Sequence, residues 1–151
     1  MTSFHTRFDE LAEWFETLTP ASLQDIATVY AQTATFRDPF NDLRGVASVR
    51  QVYQHMFETL VEPRFVIKSK LIESASAFMT WRFLFTIRGK AYVIEGGTHF
   101  VLDEQGLIAI HRDYWDAAQE LYEKIPVLGA VLRGLRRKLS IPNAQRGDEH
   151  S

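Results

Sequence analysis

The sequence predicts an α+β fold in which helices pack on one face of a curved antiparallel sheet. Two observations support this prediction. Up to Leu60, apolar residues recur three and four positions apart, which is the spacing of amphipathic helices. After Pro63, β-branched and aromatic residues alternate with polar ones, and glycine-containing turns separate the runs. We therefore expect helices first and a meander of strands second.

Two helices are predicted in the first third of the chain. The apolar face of the first helix comprises Phe4, Phe8, Leu11, Phe15 and Leu18. Thr19 and Pro20 then have the character of an N-cap and a first helical residue, so a second helix is expected to begin there. The apolar face of this second helix is expected to comprise Leu23, Ile26, Ala27, Tyr30 and Ala31. A short strand over residues 33–39 follows it.

A third helix is predicted after Gly45, and Pro63 marks the exit from it. Its apolar face comprises Val46, Val49, Tyr53, Met56, Phe57 and Leu60. Strands are then predicted over 64–72, 76–87, 91–103 and 107–116. Hairpin turns at 88–90 and 103–106 each contain a glycine that can adopt a positive φ.

A last helix is predicted from about residue 117 to 139, with a leucine stripe and a basic end, RGLRRKL. We expect this helix to dock on the domain, since cations at a helix C-terminus complement the macrodipole without any partner. The alternative is a membrane-surface anchor. Residues 1–139 are expected to form a single domain, and the polar residues 140–151 a disordered tail.

The composition favours a pocket for an apolar small molecule. Aromatic residues make up 13% of the chain, and large rings commonly line such pockets. The net charge of −2 and the scattered basic residues argue against a nucleic-acid partner. The absence of cysteine, of a signal peptide and of a long apolar run indicates the cytoplasm. The five histidines lack metal-site spacing, and no phosphate loop, HExxH or GxSxG motif occurs, so neither a metal nor another cofactor is expected.

Asp38 is the first candidate for chemistry. On a strand it would point the same way as Phe36 and Phe40, so that a carboxyl group stands between two rings. Burial there would raise its pKa and make it a usable proton acceptor near neutral pH. The alternative is structural, because an Asp before Pro commonly accepts hydrogen bonds from the following loop, here residues 41–45. Spacing alone does not choose between these two interpretations.

A second candidate set lies in the last predicted strand. Alternation puts His111, Asp113 and Trp115 on one face and the residues between them on the other. An imidazole and a carboxylate two residues apart can share a proton path, which would suit acid–base catalysis. The alternative is a charged ladder on the exposed face of an edge strand. The alternation itself does not say which face looks inward.

Two nearby segments, IATVYAQTATFRDPFNDLRG and VRQVYQHMFETL, carry a family resemblance. Together with Thr98-His99-Phe100 and the spacing from there to Trp115, they resemble nuclear transport factor two-like proteins, which include ketosteroid isomerases and SnoaL-like polyketide cyclases. The resemblance covers about residues 5–116. It implies a cone-shaped sheet wrapped by the N-terminal helices, and a homodimer formed through the open sheet face.

The resemblance also implies roles for individual residues. Asp38 matches the general base of the isomerases, and a last-strand acid such as Asp113 matches the cyclase base more loosely, with His111 beside it. Trp14 and Thr98 stand where the isomerases place the two donors of the oxyanion hole, so ketosteroid isomerase activity itself is not expected. The resemblance implies that the face with His111, Asp113 and Trp115 looks into the pocket. The remaining positions implied to line the pocket are Tyr30, Tyr53, Trp81, Phe83, Phe85 and Phe100.

These observations leave two hypotheses for function. The first is a cofactor-free isomerase, cyclase or hydrolase that transfers protons on an apolar, carbonyl-bearing substrate such as a steroid or polyketide. Asp38 or Asp113 would be its base, His111 would relay the proton, and Tyr30, Tyr53 or Trp14 would donate a hydrogen bond to the oxyanion. The second is a non-catalytic module that binds a hydrophobic ligand or assists a partner enzyme.

Overall fold

A computed structural model describes residues 3–116, which form an α+β fold with helices packed against a six-stranded sheet. The helices are α1 (Phe4–Glu16), a 3₁₀ helix (Ser22–Thr28) and α2 (Val46–Thr59). The strands are β1 (Tyr30–Arg37), β2 (Asp42–Arg44), β3 (Val61–Glu73), β4 (Ser76–Ile87), β5 (Lys90–Leu102) and β6 (Ile108–Tyr114). The predicted fold class is therefore confirmed.

The strand order in the sheet is β2-β1-β6-β5-β4-β3. Strands β3 to β6 form the predicted antiparallel meander, and β1 pairs with β6 in parallel. The β4–β5 hairpin turns on Arg88 and Gly89, which have φ values of 52° and 79°. Register shifts interrupt the pairing of β3 with β4 and of β5 with β6, and such bulges bend a sheet. The sheet can thus curve around the helices.

The prediction of a second helix reaching Tyr30 and Ala31 was wrong, because β1 begins at Tyr30. Thr19 does begin a turn, since its hydroxyl accepts a hydrogen bond from the Ser22 amide. However, this turn continues only as a 3₁₀ helix to Thr28. The β-branched and aromatic residues that follow have a better partner in β6, with which β1 pairs from Tyr30 onward.

The core lies between the helices and the concave face of the sheet. Helix α1 buries Phe8, Leu11, Ala12 and Phe15 there, and α2 buries Ser48, Val49, Val52, Tyr53 and Met56. The opposite face of the sheet carries exposed apolar side chains, namely Val66, Val93, Ile110 and Tyr114. This is the face through which a homodimer is predicted, and the homodimer stays a prediction.

The predicted C-terminal helix over 117–139, its possible membrane contact and the tail over 140–151 lie outside the described residues. The single domain over 1–139 consequently stays a prediction as well. No helix within residues 3–116 is long and apolar enough to cross a membrane.

Candidate active site

A cavity of about 130 Å³ lies between the helices and the concave face of the sheet. Its lining includes the predicted positions Asp38, Tyr53, Trp81, Phe83, Phe85, Thr98, Phe100, His111, Asp113 and Trp115. It also includes Phe15, Phe36, Phe40, Asn41, Val52, Met56, Leu60, Phe65, Ile67, Met79 and Ile94. A cavity of comparable volume in another protein holds one benzene ring, so this one is large enough for a single six-membered ring.

The register of the sheet turns His111 and Asp113 toward this cavity. Asp113 lies opposite Thr98, and His111 lies opposite Phe100 on β5. Because side chains of directly paired residues share a face, all four of these residues look inward. Arg112 and Tyr114 occupy the other face, where the Arg112 guanidinium lies 5.0 Å from the Tyr114 ring centre.

A continuous chain of hydrogen bonds runs along the cavity wall, and five of its six side chains line the cavity. The Tyr53 hydroxyl lies 2.8 Å from that of Tyr30, which lies 2.7 Å from Nδ1 of His111. His111 Nε2 lies 2.8 Å from Oδ1 of Asp113. Thr98 donates to the same oxygen over 2.5 Å, and it accepts a hydrogen bond of 2.8 Å from the Trp81 indole. Five hydrogen bonds thus connect six side chains on α2, β1, β6, β5 and β4.

Asp113 is held by one carboxylate oxygen. Oδ1 receives the contacts from His111 and Thr98, whereas Oδ2 has no hydrogen-bond partner within residues 3–116. The side chain is 15% exposed, because it borders the cavity. Asp113 is therefore oriented by its neighbours and keeps one oxygen available to a molecule in the cavity.

Asp38 occupies a tight turn after β1, so the prediction that it lies on the strand was wrong, because β1 ends at Arg37 and the Asp38 backbone amide donates a hydrogen bond to the Asn41 carbonyl. Its Oδ1 accepts hydrogen bonds of 2.7 Å from the backbone amides of Phe40 and Asn41, and the Asn41 side-chain amide also donates to the carboxylate. Burial, followed by the nearby charge of Asp113, raises the Asp38 pKa from 3.8 to about 6, against the lowering effect of these hydrogen bonds. The loop therefore holds Asp38 as the structural interpretation anticipated, and the carboxyl group also borders the cavity.

Asn41 is a polar lining residue that the sequence analysis did not select. It is 4% exposed, and its amide nitrogen is used by Asp38. Its Oδ1 is buried and has no hydrogen-bond partner within the described part of the chain. An Asp followed three residues later by Asn is a signal for this kind of turn, which could have drawn attention to it.

Two of the predicted residues lie outside the cavity lining of residues 3–116, namely Trp14 and Tyr30. Helix α1 presents Phe15 to the cavity, and Trp14 packs edge-on against Phe15 and Tyr53. Consecutive helical residues point about 100° apart, so both cannot face the same cavity. Tyr30 is 1% exposed and contributes through its hydrogen bonds to Tyr53 and His111.

Glycine on β5 makes room for the Trp81 indole. A Cβ atom at Gly96 would stand 2.7 Å from Cη2 of Trp81 and 3.0 Å from Cβ of Trp115. Trp81 therefore lies across Gly96, which brings its Nε1 to the Thr98 hydroxyl. Within residues 3–116, no three His, Asp or Glu side chains converge as a metal site would require.

Comparison with known proteins places this geometry in a family. The SnoaL-like domain matches residues 11–111. No curated protein matches the sequence. The fold is similar to an NTF2-like protein of unknown function from Burkholderia pseudomallei, with 13% identity, a TM-score of 0.66 and coverage of 79% of this chain and 95% of the other.

Two further solved structures are similar. An NTF2-like protein of unknown function from Exiguobacterium has 14% identity and a TM-score of 0.64, with coverage of 74% of this chain and 98% of the other. An LEH-like epoxide hydrolase from M. tuberculosis has 15% identity and a TM-score of 0.69, with coverage of 89% and 97%. Since the SnoaL-like match spans most of the chain, this protein belongs to the SnoaL-like domain family, with an NTF2-like fold.

Proposed function

We propose that this protein is a cofactor-free enzyme that transfers protons on a small, apolar, carbonyl-bearing molecule, in an isomerisation, cyclisation or hydrolysis. The observation that carries the proposal is the arrangement of Asp113. One of its oxygens is fixed by His111 and Thr98, and the other is available in a cavity lined mainly by aromatic and aliphatic side chains. A positioned carboxylate of this kind suits a general base.

In the proposed reaction, Oδ2 of Asp113 removes a proton from the carbon next to the carbonyl group. The C–H electron pair moves into the enolate, and the proton remains on Asp113. His111 and Thr98 hold the carboxyl group in position during this step. The contact with His111 also stabilises the carboxylate before the proton is taken.

Asp38 provides the second carboxyl group of the proposed site. Its pKa of about 6 allows it to exist in both protonation states near neutral pH. Two carboxyl groups in different surroundings can divide the work of base and acid between them. In an isomerisation, the proton taken by Asp113 would be replaced at another carbon by a proton from Asp38.

The volume of the cavity limits the size of the proposed substrate. At about 130 Å³ it accommodates one ring, so we propose a monocyclic carbonyl compound or one ring of a larger molecule such as a polyketide. The similarity in fold to an LEH-like epoxide hydrolase is compatible with a hydrolytic variant, in which Asp113 takes its proton from water.

The proposal is tested by exchange of carbon-bound hydrogen for deuterium. Cyclohexanone, 2-cyclohexenone and acetophenone are incubated with the protein in D₂O, and NMR follows the loss of the α-proton signals. Wild type is expected to accelerate exchange of at least one of them, and Asp113→Asn should reduce that rate by about 10²–10⁴-fold. Tyr92→Phe, at a position outside the cavity lining, is the matched control.

The second candidate is a binding module for a hydrophobic ligand. Its support is that Trp14, one of the implied oxyanion donors, does not line the cavity, and that Thr98 is engaged by Asp113. Under this alternative, the same ketones bind equally to wild type and to Asp113→Asn, and neither protein accelerates exchange.

A further inference from the structure

Tyr30 is the one member of the hydrogen-bond chain that does not line the cavity of residues 3–116. Tyr53 and Asp113 border the cavity, whereas Tyr30, which joins Tyr53 to His111, is 1% exposed and is absent from the lining of residues 3–116. The chain therefore offers a path by which the state of the His111–Asp113 pair can reach Tyr53 without passing through the cavity.

The direction of each hydrogen bond follows from counting protons. Burial raises the pKa of Tyr30 and of Tyr53, and in each case it is a larger cause than the neighbouring groups. Both phenols therefore keep their single proton, and each can donate to only one acceptor. At the other end, the Trp81 indole can only donate, so the Thr98 hydroxyl proton is directed to Asp113.

When His111 and Asp113 share a single proton, that proton lies on Nε2 of His111, and the ionised Asp113 accepts a hydrogen bond from it. The other nitrogen, Nδ1, is then a bare acceptor, and it takes the proton of the Tyr30 hydroxyl. The Tyr30 oxygen in turn accepts from Tyr53. In this state the Tyr53 proton is committed to Tyr30, and Tyr53 can only accept a hydrogen bond from a molecule in the cavity.

One added proton reverses the direction of the hydrogen bonds that connect His111, Tyr30 and Tyr53. Imidazole is a stronger base than carboxylate, so the proton goes to His111, which then donates from Nε2 to Asp113 and from Nδ1 to Tyr30. Tyr30 must now donate to Tyr53, and the Tyr53 proton is free to point into the cavity. Asp113 stays ionised in this state, with Oδ2 still available.

We propose that the protonation of the His111–Asp113 pair sets whether Tyr53 donates or accepts hydrogen bonds in the cavity, and that Tyr30 is the positioning residue that transmits this setting. The prediction concerns the ligand-free protein, so it does not depend on the proposed reaction. It has a consequence for that reaction, since only the protonated pair combines an ionised Asp113 with a Tyr53 donor for a substrate carbonyl.

The other groups around the pair are few. Asp38, in the turn after β1, carries a charge that is coupled to Asp113, and its hydrogen bonds go to Phe40 and Asn41 rather than to His111. From α1 the ring of Phe15 faces His111, from β1 the ring of Phe36, and from β5 the ring of Phe100. Both nitrogens of His111 are thus occupied by Tyr30 and Asp113 alone among the described residues.

The test follows the NMR signals of ligand-free protein as the pH is changed from about 5 to 8. Ring ¹⁵N signals show which nitrogen of His111 carries a proton, and the ¹³Cζ signal of Tyr53 reports on its hydroxyl. In wild type we expect Nε2 alone to be protonated at high pH, both nitrogens at low pH, and the Tyr53 signal to follow with the same midpoint.

Tyr30→Phe removes the connecting hydroxyl while leaving the cavity lining in place. In this variant the ring ¹⁵N signals of His111 should still report the added proton, and the ¹³Cζ signal of Tyr53 should no longer follow them. Tyr92→Phe should behave as wild type. Acetophenone supplies a second readout, since its affinity for wild type should fall by about five-fold as the pair loses its proton, and should stay constant in Tyr30→Phe.

Three results would overturn the inference. The first is a proton on Nδ1 rather than Nε2 of His111 at high pH. The second is a His111–Asp113 pair that keeps one protonation state over the whole pH range. The third is a Tyr53 signal that changes with pH in the same way in wild type and in Tyr30→Phe. The first two need no variant, so they decide the question even if Tyr30→Phe does not fold. A failure of ketone exchange together with the expected titration would reject the proposed reaction and leave this inference standing.

Discussion

Replacing Asp38 by Asn should make the protein more stable at neutral pH while impairing its proposed chemistry. The Asp38 carboxyl is ionised only at a cost, since burial and the charge of Asp113 raise its pKa from 3.8 to about 6. The difference corresponds to about 3 kcal/mol as an upper limit. The side chain is partly open to solvent, so we expect a gain of about 1–2 kcal/mol in the free energy of unfolding at pH 8.

The sign of the pH dependence follows from the raised pKa. In the native state Asp38 holds its proton more tightly than in the unfolded chain, so its stabilising contribution is complete below pH 3.8 and is lost as the pH rises through about 6. An Asn side chain keeps an acceptor for the amides of Phe40 and Asn41 and carries no charge. The advantage of the variant should therefore grow between pH 4 and 8.

Urea unfolding of wild type and Asp38→Asn at several pH values measures this difference directly. Asp42→Asn, in the exposed strand β2, is the matched control and should show little change. Equal stability of wild type and Asp38→Asn at pH 8, or a less stable variant, would refute the reasoning, because it would show that the hydrogen bonds of the turn outweigh the cost of the buried charge.

Further predictions concern the groups that hold the site. Thr98→Val should cost about 2 kcal/mol of stability, because it leaves the buried Trp81 indole without an acceptor. The control, Thr80→Val on the outer face, should cost under about 0.5 kcal/mol. Thermal unfolding of the two variants measures the difference. Gly96→Ala should displace the Trp81 ring and cost about 1–3 kcal/mol of stability. An indole ¹H–¹⁵N signal and a melting temperature that are both unchanged would contradict this prediction.

The helices and the meander could largely be predicted from the sequence, because local patterns decide them. Helix α2 and strands β3 to β6 each have one periodicity, and the turn at Arg88-Gly89 separates β4 from β5, although Pro63, expected at the exit from the third helix, lies within β3. The segment after Thr19 has no such clarity. Its apolar spacing suits a helix, and the pairing of β1 with β6, far away in sequence, decides the outcome at Tyr30.

The site depended even more on long-range geometry. Alternation placed His111 and Asp113 on one face without saying which way it looks. The family resemblance implied that this face looks inward, and the register with Thr98 and Phe100 on β5 turns it toward the cavity. The connection from Asp113 through His111 and Tyr30 to Tyr53 joins three separate elements, so no spacing in the sequence reveals it. Asp38 illustrates the opposite case, since its turn is local and the structural role was one of the two interpretations that the sequence left open.

The central claim is that Asp113 is the base of a proton-transfer site, and deuterium exchange into a bound ketone tests it most directly. Wild type and Asp113→Asn are compared in D₂O at equal occupancy by the ketone, with matching circular dichroism spectra as evidence that both are folded. The account predicts exchange in wild type and a loss of about 10²–10⁴-fold in the variant. Equal exchange rates in the two proteins would contradict it.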